Sequence, residues 1–219
     1  MNSGLFVTFE GGEGSGKSVQ ARALAAHLQG RGRTVVVAHE PGSTPLGDRV
    51  REILLFARGV PLTPEAQALL FSAARAELVR TVIRPALRDG AQVIVDRFFD
   101  STLAYQGYGH GADLAGLRAV TRVAVGDLVP DLTFLLDLPL EVGLARSRGR
   151  SERWDRFESG ELEFHRRVRE GYLALARDEP RRYVVISADR PETEIAKEIA
   201  ARVDRALEER SARTIPAAR

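Results

Sequence analysis

Cysteine is absent from all 219 residues, which excludes disulfides, thiolate metal sites and a thiol nucleophile, and is compatible with a reducing compartment. Long apolar runs are absent too. No stretch approaches the ~20 residues that span a bilayer, and the amino terminus lacks the cationic, apolar, small-residue order of a leader. A soluble, cytoplasmic protein with no membrane partner is therefore expected. Excess charge is small: 32 Lys and Arg stand against 30 Asp and Glu, a formal net charge of +2. Acids and bases are interspersed, so no nucleic-acid partner is expected despite a pI near 9.3. Lysine is scarce and arginine carries most of the positive charge. The histidines, His27, His39, His110 and His165, are too scattered for a metal site.

What is present suffices for a full core, with 44% hydrophobic residues in a length typical of one domain. Apolar, β-branched runs at Leu5–Phe9, Thr34–His39, Gln92–Asp96, Leu132–Asp137 and Tyr183–Ser187 are separated by stretches of helical period. Five such runs alternating with helices predict a doubly wound α/β domain, a five-stranded parallel sheet covered by helices on both faces. Thr63-Pro64-Glu65 and Leu138-Pro139 read as helix starts, and Pro85 is expected to kink or end the helix begun near Pro64. The domain is expected to run over residues 1–207. Residues 208–219, ending in "SARTIPAAR", lack a patterned apolar face and read as a frayed tail.

Between the first run and the helix-like "SVQARALAAHL" stands "FEGGEGSGKS". Gly11, Gly16, Lys17 and Ser18 fit G-x-x-x-x-G-K-[ST], with Gly12, Glu13, Gly14 and Ser15 as the variable positions. After a strand and before a helix, such a loop turns its backbone N–H groups on phosphate oxygens, and the helix adds its positive dipole end. Lys17 would reach the β- and γ-phosphates of ATP and Ser18 would ligate Mg²⁺. The fold is thus a P-loop NTPase type, and the motif alone does not choose among switches, motors and kinases.

Two further clusters narrow the chemistry. "VIVDRFFDSTLAYQGYGHG" begins at the carboxyl end of a buried run, so Asp96 and Arg97 emerge where open α/β sheets bind ligands. Asp96 there can hold Mg²⁺, and Arg97 can chelate phosphate through a bidentate fork. "RSRGRSERWDRFE" sets Arg146, Arg148, Arg150, Arg153 and Arg156 against Glu152 and Asp155, a local +3. That density suits a lid over residues 146–158 that closes on a polyphosphate, although a solvated arginine-rich loop reads the same way.

"FEGGEGSGKS", "EPGST", "LLFSAARAEL", "DRFFDSTLAYQGYG" and "DRFE" occur in the order and spacing of the thymidylate kinases, and the chain resembles that family to about Leu207. The resemblance implies transfer of phosphate from ATP, with Mg²⁺, to dTMP, giving dTDP for dTTP synthesis, in a homodimer. Position by position it implies that Phe71 stacks on thymine and Arg75 donates to a base carbonyl. Thr102, Tyr105 and Gln106, with Ser101, surround the sugar and base edge, Tyr105 excluding a ribose hydroxyl. Glu40 and Pro41 begin the motif lining the acceptor phosphate, the Glu40–Pro41 bond being either cis or trans, and Arg51 resembles an acceptor-phosphate ligand. Read without the family, Phe71 fits an ordinary core residue and Tyr105 a half-buried tyrosine.

One branch of the family carries an arginine inside the phosphate loop, which this chain lacks. Lid arginines then become candidates for the transferred group, Arg153 first, with Arg148 and Arg150 as alternatives and Lys17 and Arg97 as the other catalytic cations. Asp155 and Glu158 would contact the acceptor sugar or pair with lid arginines. Gly109-His110-Gly111 places histidine where arginine is usual, so a phosphate contact there would depend on pH. Ser43 stands where "EPGST" commonly has glycine. Alternatives are a kinase of dUMP, UMP or shikimate, a P-loop regulator without an acceptor pocket, or a nucleic-acid-stimulated ATPase.

Overall fold

In a computed structural model of the chain, residues 4–57, 61–148 and 162–214 are described. Strands β1 (Phe6–Glu10), β2 (Val35–His39), β3 (Gln92–Asp96), β4 (Leu132–Asp137) and β5 (Tyr183–Ser187) form one sheet in the order β2-β3-β1-β4-β5. Every neighbouring pair is parallel, as the alternating pattern predicts. Two strands start one residue later than expected, at Phe6 and Val35.

The period of two along β1 sends successive side chains to opposite faces. Val7 and Phe9 pack with Leu24 and Leu28 of α1 (Lys17–Gly30) and with Ile195 and Ile199 of α9 (Glu192–Thr214). Phe6, with Val93 and Val95 of β3, meets Leu78 of α3 (Pro64–Leu78) and Tyr172 and Leu175 of α8 (Leu162–Asp178). Both faces are thus covered, which is why the strands read as continuous apolar runs.

Among the described residues the remaining α-helices are α2 (Pro45–Arg51), α4 (Arg84–Arg88), α5 (Phe99–Thr102), α6 (Leu114–Val125) and α7 (Leu140–Arg148). Thr63 caps α3 by accepting from the Ala66 N–H, with Pro64 in the first turn. Pro85 does not end this helix. A π-helical turn at Val79–Ile83 precedes it and the path continues through α4, so the missing proline N–H is absorbed by a local widening.

The carboxyl end corrects an expectation. Residues 208–214, assigned to a frayed tail, are the last turns of α9. Polar side chains hold them: Arg210 pairs with Asp131 at 2.6 Å, and the Ser211 hydroxyl donates to the Leu207 carbonyl at 2.9 Å. Among the described residues no helix is long and apolar enough to cross a membrane.

Candidate active site

Strand order reverses about β1 and β3, and the crevice beyond their carboxyl ends is where open α/β sheets take ligands. The loops after β1, β2 and β3 meet there around a cleft of about 350 Å³.

The loop after β1 is forced into shape by close backbone neighbours. A Cβ on Gly11 would stand 2.5 Å from the Leu136 carbonyl oxygen, and one on Gly14 2.1 Å from that of Gly143. Helix α1 follows, with Gly16 at its N-cap in a left-handed conformation and no side chain closing its first turn, so its leading N–H groups face the loop as anion donors. Lys17 folds back over this cradle. Its ammonium donates to the carbonyls of Gly12 at 2.8 Å and Gly11 at 3.1 Å and to the Ser15 hydroxyl at 3.3 Å. Burial, then the Arg97 charge, lowers its pKa to about 8. The Ser18 hydroxyl donates to a carboxylate oxygen of Asp96, bringing together two hard oxygen donors from the first turn of α1 and the end of β3. That pair fits Mg²⁺, which takes few protein ligands and completes its shell with phosphate and water.

Arg97, the residue after β3, adopts φ +67° and turns its guanidinium back over the phosphate loop. Nη2 donates to Glu13 at 2.9 Å and to the Tyr105 hydroxyl at 3.2 Å; Nη1 donates to the Gly11 carbonyl at 3.2 Å and to the Tyr172 hydroxyl at 3.2 Å. The Tyr105 hydroxyl donates in turn to Glu13. Burial alone would raise the Glu13 pKa, but the Arg97 and Lys17 charges overcome it and hold the carboxyl at about 2. Below this cluster lies Glu10, fully buried and raised to about 7 by burial and then by the neighbouring Asp100.

At the far end of the cleft Arg75 is 1% exposed and donates from Nε to Glu40 at 2.7 Å. Its Nη2 donates to the Thr102 hydroxyl at 3.2 Å and to the Phe98 carbonyl at 3.3 Å, while among the described residues its Nη1 and Oε1 of Glu40 have no partner. Buried polar atoms are rarely left unpaired, so this corner suits a polar ligand. Phe71, one turn earlier on α3, lines the same cleft and also packs against the core. Gln106, beside Thr102 and Tyr105, donates to Gln67 at 3.1 Å, and Arg51 on α2 donates to the Pro41 carbonyl at 3.0 Å. The Glu40–Pro41 bond is cis.

The cleft therefore gathers Glu13 to Ser18, Glu40, Arg51, Phe71, Arg75, Asp96, Arg97, Ser101, Thr102, Tyr105 and Gln106. Gly11 and Gly12 line a small neighbouring hollow instead. Arg150, Arg153, Asp155, Arg156 and Glu158 lie outside the described residues, and so does the side chain of Arg148. Arg146 reaches the Ala188 carbonyl at 3.2 Å. His110 stays out of the cleft: its ring lies 4.5 Å from that of Phe164. Ser43 shows how a Cβ is tolerated in "EPGST", since at φ +64° its hydroxyl accepts from the His39 N–H at 2.9 Å.

The Thymidylate kinase family model matches residues 9–199. A thymidylate kinase of Deinococcus radiodurans is 51% identical over 203 residues, which cover 93% of this chain and 98% of that protein. One of Thermomicrobium roseum is 52% identical over 198 residues, 90% of this chain and 93% of the relative. The chain belongs to the thymidylate kinase family. A thymidylate kinase of Roseiflexus castenholzii, 48% identical over 212 residues, covers 91% of this chain and 93% of its own.

Within this thymidylate kinase family member, motif reading found the cleft wall but missed its support. The motifs give Glu10 and Tyr172 no role, and Glu13 only a place in the loop. A carboxylate closing a buried strand, as in "LFVTFE", is the available signal, because a buried charge demands partners.

Proposed function

We propose that the chain transfers the γ-phosphoryl group of ATP to the 5′-phosphate of dTMP, giving dTDP and ADP. The observation carrying this reading is the junction in one cleft of a phosphate cradle with a buried arginine corner built to take a polar, planar ligand. An oxygen of the dTMP phosphate attacks the γ-phosphorus while the bond to the β,γ-bridging oxygen breaks, and the electron pair leaves with ADP. The attacking oxygen is already anionic, so no general base is required. The protein's work is alignment and charge neutralisation.

The loop N–H groups and Lys17 hold the donor phosphates. Arg97 lies between donor and acceptor, beside Glu13 and Tyr105, and neutralises the group in flight. Arg51 serves the acceptor phosphate, Phe71 and Arg75 the base, and Ser101, Thr102, Tyr105 and Gln106 the sugar and base edge. Glu40 acts through Arg75, to which it is bonded, rather than on the phosphate. Ser18 and Asp96 would hold Mg²⁺, which screens the polyphosphate charge when bound. Arg153 remains the candidate lid arginine. We assign the working form as a cytoplasmic homodimer. Family membership supports the dimer, and so do Val123 on α6 and Leu69 on α3, which are 88% and 57% exposed.

The test is ADP release from Mg·ATP with dTMP, dUMP, UMP, dCMP, AMP or shikimate, against an acceptor-free control. The expected result is much the fastest turnover with dTMP. Release that no acceptor stimulates would overturn the kinase reading.

A further inference from the structure

We infer that Glu10 is a positioning residue for Arg97, acting through the left-handed turn at the end of β3 and through the hydroxyls of Ser101 and Tyr172. This rests on the reading of Arg97 as the cation that neutralises the transferred group.

Glu10 closes β1 on the face that carries Phe6 and Thr8 and is 0% exposed, a position where an apolar side chain would bury more easily. Among the described residues no cation is bonded to it; only neutral donors reach it. Its Oε1 accepts from the Phe98 N–H at 2.7 Å, and its Oε2 from the Ser101 hydroxyl at 2.7 Å and the Tyr172 hydroxyl at 2.9 Å. Two of these partners, Phe98 and Ser101, follow Arg97 in the chain, and the third, Tyr172, comes from α8. The Arg97 N–H donates to the Phe9 carbonyl at 2.9 Å, so the end of β1 takes both N–H groups of the turn, one by backbone and the next by the Glu10 side chain.

Arg97 needs that grip, because a left-handed conformation is unfavourable for a residue with a Cβ and persists where surroundings over-determine it. The guanidinium is held by the same groups. Nη1 donates to the Tyr172 hydroxyl at 3.2 Å and the Ser101 hydroxyl at 3.3 Å, and both hydroxyls donate onward to Glu10. One carboxylate thus fixes the backbone that aims Arg97 and two of the oxygens that accept from its Nη1.

The test is a double-mutant cycle on ADP release, using wild type, Glu10→Gln, Arg97→Ala and the double variant, with thermal melting as the fold control. Glu10→Gln should lower kcat about tenfold and move KM for dTMP and ATP less than about threefold. In the Arg97→Ala background it should change kcat less than about twofold, because there is no guanidinium left to aim. Tyr172→Phe repeats the cycle should Glu10→Gln fail to fold. Losses that multiply across the cycle would overturn the inference while leaving the role of Arg97 intact. Arg97→Ala with wild-type turnover would overturn both.

Discussion

Gly14 of the phosphate loop and Gly143 of α7 touch backbone to backbone. A Cβ on Gly14 would stand 2.1 Å from the Gly143 carbonyl oxygen, and one on Gly143 would stand 2.5 Å from that of Glu13. The loop is therefore seated on the helix after β4. Gly14 also has φ +67°, so Gly14→Ala meets both strain and a backbone atom that cannot yield. The expected outcome is a loss of about 2 kcal/mol or more in unfolding free energy by urea titration, with a raised KM for ATP. A variant matching wild type in both would show that the loop is not seated on α7.

Lys17 sets catalysis against stability. Its folded-state pKa of about 8 lies below the ordinary 10.5. For a depressed base, the contribution to stability is present above the unfolded pKa and lost as pH falls through the folded one. At pH 7 the buried ammonium therefore opposes folding. Lys17→Met should lower kcat by about 10²–10³ or more yet raise unfolding free energy at pH 7 by about 1–3 kcal/mol. The gap should close between pH 8 and 10.5. Measured turnover near wild type would refute the catalytic role, and a gap that widens with pH would refute the electrostatic one.

The sheet, the phosphate loop and most of the cleft wall could be read from the chain because their signals are local. Five apolar runs mark five strands, of which the central β3, β1 and β4 are buried, and G-x-x-x-x-G-K-[ST] specifies its loop within eight residues. What escaped depends on distance. Tyr172 reaches Glu10 across 162 positions, and no pattern within α8 marks it out from an ordinary core tyrosine. The left-handed turn at Arg97 is equally silent, since its cause is a side chain on another strand. The resemblance sets Glu40 and Pro41 at the acceptor phosphate, and no local pattern reports the bond that Glu40 accepts from Arg75, 35 positions on. The expected tail became helix because Arg210 finds Asp131, a contact that periodicity cannot report.

Asp100 and Arg182 form a buried pair that anchors the "DRFFDS" segment to β5. The guanidinium is bidentate on the carboxylate, with both bonds at 2.8 Å, and lies between the rings of Phe99 and Tyr183. Glu179 also accepts from Arg182, so Asp100→Asn leaves the cation only partly unpaired. The expected loss is about 2–3 kcal/mol, toward the lower end for a broken buried pair. Adding Arg182→Gln should recover part of it, with a coupling of about 1 kcal/mol or more. Additive losses in urea denaturation would mean that the two residues do not act as a pair.

Glu13 is depressed like Lys17, so its contribution also falls with falling pH, but here the charged form favours the fold. Its folded pKa of about 2 lies below the ordinary 4.5 because the Arg97 and Lys17 charges outweigh its burial. A depressed carboxyl contributes stability above its unfolded pKa, and that contribution is lost as pH falls through the folded value. Wild type should therefore lose up to about 3 kcal/mol between pH 4.5 and 2 that Glu13→Gln does not lose. Arg97 should then be freer to turn away in the variant, since its bond to Glu13 at 2.9 Å becomes neutral and weaker. Paired urea titrations at pH 3, 4, 5 and 6 read this directly. Parallel curves for the two proteins would mean that the Glu13–Arg97 pair contributes nothing to the fold, and would leave Arg97 without its closest carboxylate anchor.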